Sequence, residues 1–103
     1  ARCFGHATDD LALVQLGRRD RRSIGLYDLT SGRRRWQVAL TSFGVLDSAF
    51  GRDGIAVAEA GGPVRCFDHD GAERWRWSPP PGEHVLRLAW AAHLDRFCGV
   101  LFP

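Results

Sequence analysis

A pattern that recurs about every 40 residues constrains this chain more than any other feature. The segment Tyr27-Asp28-Leu29-Thr30-Ser31-Gly32-Arg33-Arg34-Arg35-Trp36 lays over Phe67-Asp68-His69-Asp70-Gly71-Ala72-Glu73-Arg74-Trp75, with one turn residue deleted from the second copy. Each copy runs from an aromatic and Asp through a short turn ending in Gly, then through mostly charged residues to Trp. The offset is 40 between Tyr27 and Phe67 and 39 between Trp36 and Trp75. A second overlay, of Val45-Leu46-Asp47-Ser48-Ala49-Phe50 on Val85-Leu86-Arg87-Leu88-Ala89-Trp90, again falls at 40. Two separate matches at one period point to a structural unit of that length repeated along the chain.

Between these anchors each period holds short alternating or β-rich runs bounded by Gly, Asp or Pro turns, the pattern of strands. The expected runs are 11–16, 23–28 and 34–40 after a remnant near Cys3, then 45–50, 55–59, 64–68 and 73–77, then 85–90 and 96–101. Twelve Gly and five Pro leave few windows of a dozen residues for a helix. Gly61-Gly62-Pro63, Arg52-Asp53-Gly54 and Asp70-Gly71 are tight-turn sequences suited to antiparallel hairpins. Four strands in a period near 40 is the signature of propeller blades, whereas helical-pair repeats run at about 34. The expectation is an all-β fold of antiparallel four-stranded blades of a β-propeller. About two and a half blades form one partial segment over 1–103, with units at about 1–40, 41–80 and 81–103.

The aromatic-Asp-turn-Gly-xxx-Trp segments from Tyr27 to Trp36 and from Phe67 to Trp75 resemble blades of quinoprotein-like propellers, the pyrroloquinoline-quinone-like repeat. They are also similar to WD-repeat blades, with Tyr27-Asp28 and Phe67-Asp68 in place of Trp-Asp and no Gly-His pair in register. The quinoprotein-like resemblance covers nearly the whole chain. It implies that Gly32, Trp36, Gly71 and Trp75 dock neighbouring blades rather than react. Phe50 and Trp90, at the ends of the second overlay, are candidate docking residues alongside them. The chain also departs from the family, because closed propellers have four to eight blades and fewer than three are present here. Quinone or metal sites in enzymatic members lie on the central channel and draw on the whole ring, so none is expected from this chain alone.

Composition narrows the function classes. With 45% hydrophobic and 25% charged residues, the 103-residue chain has the make-up of a soluble globular domain. Its apolar runs, such as 11–16 and 85–90, fall far short of the roughly 20 residues that cross a bilayer, so no membrane partner is expected. The N-terminal residues Ala1-Arg2-Cys3-Phe4-Gly5-His6 carry no leader pattern and the chain has no Met, which suggests a trimmed or excised segment. All 14 basic residues are Arg, yet 12 carboxylates hold the net charge to +2, so the footprint of a dedicated nucleic-acid binder is absent overall. Cys3, Cys66 and Cys98 are odd in number, widely spread and flanked by apolar residues. They read as buried reduced thiols and favour a reducing, cytoplasmic compartment.

Cys3-x-x-His6 and Cys66-x-x-His69 have ligand-like spacing for zinc but occupy inequivalent places in the repeat, so no metal is assigned. Asp68-His69-Asp70-Gly71 opens like a calcium loop and lacks the later ligands, so it reads as a β-turn. No motif links His6, Asp9 and Asp10 to Ser23 or Ser48, so no catalytic residue and no cofactor are expected. Arg18, Arg19, Arg21 and Arg22 form the one basic concentration, at the tip of an expected hairpin, and are the candidate partner-binding residues. Ser78-Pro79-Pro80-Pro81-Gly82 reads as a stiff connector between the second and third units. Trp36, Trp75, Trp77 and Trp90 are expected in the core between blades.

The leading expectation is therefore a non-catalytic propeller segment, an interaction scaffold for protein partners, for further blades or for itself. The alternative is part of a quinoprotein-like dehydrogenase whose other blades supply the pocket, and a weaker one is nucleic-acid binding through the Arg-rich hairpin.

Overall fold

The stretch Ile55-Ala56-Val57-Ala58-Glu59 explains why the chain must stack in layers. Successive side chains of a strand leave opposite faces, and all five of these residues are buried, so protein has to cover both sides. The computed structural model describes residues 2–3, 10–18 and 21–102. Within them, β1 (Arg2–Cys3), β2 (Leu11–Arg18), β3 (Arg21–Asp28) and β4 (Arg34–Ala39) form one sheet in the order β1-β2-β3-β4. A second sheet follows in the order β5 (Val45–Phe50), β6 (Ile55–Glu59), β7 (Val64–Phe67), β8 (Glu73–Trp77). The third sheet pairs β9 (His84–Ala91) with β10 (Arg96–Phe102). Every pairing is antiparallel and joins strands adjacent in sequence, so each sheet is an open meander. No helix occurs among the described residues, and thus none long and apolar enough to cross a membrane.

The all-β antiparallel architecture agrees with the expected strands nearly residue for residue. The largest differences extend the first hairpin, where β2 runs on to Arg18 and β3 starts at Arg21, with those two residues paired.

The second sheet is sandwiched between the other two. On one face Ile55, Val57, Phe67 and Val45 pack with Leu13, Ile24, Leu26 and Trp36 of the first sheet. Fully burying each of these aliphatic side chains contributes roughly 1.5–3 kcal/mol. On the opposite face Ala49, Ala56, Ala58 and Val64 meet Val85 and Leu88 of β9, with Phe97 of β10 packed alongside. The three alanines are small, which lets β9 lie close against the second sheet. A backbone link reinforces each junction: Val45 N–H donates to the Gln15 side-chain carbonyl at 3.1 Å, and Leu88 N–H donates to Asp47 Oδ2 at 2.7 Å.

The two overlaid aromatic-Asp segments fold alike. Asp28 Oδ1 accepts the backbone N–H of Thr30 at 2.8 Å, and Asp68 Oδ1 accepts that of Asp70 at 2.9 Å, each carboxylate organising the turn that follows it. The turns close at Gly32 and Gly71, with φ of 74° and 91°, the left-handed region that glycine enters without the steric cost of a Cβ. Each hairpin carries a register shift at the same place, between Leu26 and Tyr27 in one and between Cys66 and Phe67 in the other. As a result Trp36 stands opposite Leu26, and Trp75 opposite Cys66.

Candidate interaction surface

The junction between the first two sheets is a finished contact. The Trp36 indole lies over the β7–β8 turn so closely that a Cβ on Gly71 would come within 2.8 Å of Trp36 Cγ. Its Nε1–H donates to the His69 carbonyl at 3.1 Å, and its ring centroid is 5.5 Å from that of Phe67. Nearby, Glu59 and Arg65 are both buried and bonded at 3.1 Å. Glu59 Oε1 also accepts the N–H and hydroxyl of Thr41, and Arg65 Nη1 donates to the Ala39 carbonyl at 2.9 Å. This network staples the connector between β4 and β5 onto the second sheet. Arg65 Nε reaches Glu73 at 2.8 Å, and Arg76 grips the same carboxylate through two hydrogen bonds. Those bonds, from Arg76 first and then Arg65, pull the Glu73 pKa from 4.5 to about 2.

The junction between the second and third sheets is covered only in part. A Cβ on Gly51 would fall 2.6 Å from Phe97 Cζ and 2.7 Å from Trp90 Cε3, so the two rings close over that glycine. Phe97 and Trp90 meet edge-on at 4.9 Å between centroids. Beyond Phe97 the cover thins, because among the described residues the third sheet holds only β9 and β10, which reach Val64 of β7 but leave Trp75 and Trp77 of β8 partly bare. Trp75 touches the edge of Phe97 at 6.2 Å between centroids and remains 42% exposed, and Trp77 remains 45% exposed. The result is an open groove of about 380 Å³ between Val64, Trp75 and Trp77 on one wall and Phe97, Cys98 and Leu101 on the other. Among the described residues none of its lining side chains is charged. Its outer rim is β10, which among the described residues pairs with β9 alone and exposes Val100, Leu101 and Phe102.

The candidate docking residues thus separate. Trp36 and Gly71 sit together in a buried contact, Phe50 packs against the first core, and Trp90 lies half-buried on Phe97. Gly32 closes its turn with nothing within 4 Å of where a Cβ would stand. Trp75 and Trp77, expected in the core, lie at the surface, because β9 and β10 cover them only in part. Cys66 is buried, and burial pushes its thiol pKa up, whereas Cys98, also expected to be buried, is exposed on β10. His6, Asp9 and Arg19 lie outside the described residues, as do the side chains of Cys3, Arg18 and Arg21; Arg22 is half-buried on β3.

Chemistry-bearing residues elsewhere have structural partners. Ser23 Oγ accepts Gln37 Nε2–H at 2.6 Å, and Ser48 is fully buried. Among the described residues no group of three His, Cys, Asp or Glu side chains is placed to hold a metal ion.

Sequence reasoning missed the buried Glu59 and Arg65, which lie in apolar strands and were unmarked except by their mutual spacing across the Gly61-Gly62-Pro63 hairpin. It also passed over Gly51, which stands just before the Arg52-Asp53-Gly54 turn. No family model matches the chain, and neither the curated proteins nor the solved structures include a significant match.

Proposed function

We propose that this chain is a non-catalytic segment of a β-propeller-type repeat scaffold that works by packing its sheets against further β-structure and presenting the surfaces so formed to protein partners. The observation that carries this reading is the regular stacking: one face of the first sheet covers the second, and the opposite face of the second meets the third. Meander sheets related in that way, with strands overlaid at a 40-residue offset, are what blades around an axis require. The open groove at Trp75 and the free edge of β10 support an interaction role, since apolar patches and unpaired strand edges are association surfaces.

Light scattering coupled to size exclusion on the purified 103-residue chain tests this reading. Concentration-dependent assemblies larger than the 11.5 kDa monomer are expected. A monodisperse, cooperatively unfolding monomer at every concentration overturns it.

A further inference from the structure

The two overlaid tryptophans stand in the same place in their sheets and differ in what lies over them. Trp36 reaches past its own sheet to the turn of the next one, packing on Gly71 and donating to the carbonyl of His69. Trp75 occupies the matching position, opposite Cys66 as Trp36 is opposite Leu26, and projects from the matching face. Within the next sheet, β9 overlays β5, and β10 pairs with β9 as β6 pairs with β5: Trp90 stands opposite Phe97 as Phe50 stands opposite Ile55. The free edge of β10 is therefore the counterpart of the β6 edge that β7 occupies. The hairpin of β7 and β8 brings the Asp68 turn with it, and that turn is what Trp36 holds.

We propose that the Trp75 groove and the free edge of β10 bind an antiparallel β-hairpin from outside these 103 residues, one whose turn carries Asp-x-x-Gly as residues 68–71 do. The proposal rests on the scaffold reading above and names the partner structure at its open surface. The first strand of the hairpin pairs with β10 and satisfies backbone groups that β9 leaves free. Its turn glycine seats beneath Trp75, because any Cβ there would meet the ring as it would at Gly71. A carbonyl two residues before that glycine accepts the Trp75 Nε1–H, as the His69 carbonyl accepts that of Trp36. The uncharged walls favour an apolar strand in register with Phe97, Cys98 and Leu101.

The chain contains a sample of such a hairpin, so residues 62–78 serve as the probe, synthesised as a separate peptide closed head to tail through an added Asn-Gly turn. The full chain is mixed with this peptide under reducing conditions, and backbone hydrogen exchange is followed by mass spectrometry while light scattering is recorded in parallel. Amides of 96–102 are expected to exchange at least tenfold more slowly with the peptide present. The protection is expected to vanish with a peptide bearing D68A and G71V, and with a chain bearing W75A that keeps the wild-type circular dichroism spectrum. No protection at 96–102, protection elsewhere only, or equal protection by the altered peptide overturns the proposal. A chain that self-associates yet ignores the peptide sinks this inference and leaves the scaffold reading standing. A chain that stays monomeric and ignores it sinks both.

Discussion

The indole N–H of Trp36 donates to the carbonyl of His69 at 3.1 Å, linking the last strand of one sheet to the turn between the last two strands of the next. This bond, with the close seat of the ring on Gly71, makes the first two sheets one packed unit rather than two meanders in sequence.

Substitutions on the two overlaid tryptophans should differ sharply. Trp36→Ala removes a buried ring and is expected to cost about 3–5 kcal/mol, while Trp36→Phe, which mainly loses the hydrogen bond, costs about 1–2 kcal/mol. Trp75→Ala, at a position 42% exposed, is expected to cost about 1–2 kcal/mol, less than Trp36→Ala. Urea unfolding midpoints of the three variants check the order.

The turn glycines make a matched pair. Gly71→Val brings strain at φ 91° and a clash with Trp36, together about 2–5 kcal/mol. Gly32→Ala meets only the φ 74° penalty, about 1–2 kcal/mol, because nothing lies within 4 Å of the new Cβ. Thermal unfolding of both variants should keep this ranking.

The buried ion pair predicts non-additivity. Arg65→Met leaves the Glu59 carboxylate buried without its cation and is expected to cost about 3–5 kcal/mol, whereas Arg65→Met with Glu59→Met costs markedly less than the two single changes summed. A double-mutant cycle in urea measures the coupling.

Acid should loosen the second sheet through Glu73. Its folded pKa of about 2 lies below the ordinary 4.5, so the unfolded chain binds more protons between those values. The stabilisation is complete above about pH 4.5 and is lost as pH falls toward 2. Asp68, whose carboxylate the Ala72 N–H chiefly holds below its usual range, adds loss at the same acid end. Glu73→Gln should flatten the stability profile between pH 4.5 and 2 and leave the neutral region's slope unchanged.

The strands were legible because the turns that bound them are built by residues with few other uses: Asp28 and Asp68 fold their turns through their own carboxylates, and Gly32 and Gly71 take positive φ. The apolar run 55–58 likewise marked a strand, though not that Glu59 at its end is buried. That burial depends on Thr41 and Arg65, brought together only by packing of the β4–β5 connector. The surface position of Trp75 was equally hidden. Its segment matches that of Trp36, and the difference arises from what a neighbouring sheet of two strands does not cover.

The most direct measurement of the central account is the solution mass of the wild-type chain beside a Trp75→Glu, Leu101→Glu variant, across a range of concentrations by light scattering. The account predicts wild-type assemblies that grow with concentration and a variant held near 11.5 kDa, because both glutamates charge the groove. A wild-type chain that stays at 11.5 kDa throughout, or a variant that assembles equally well, would contradict it.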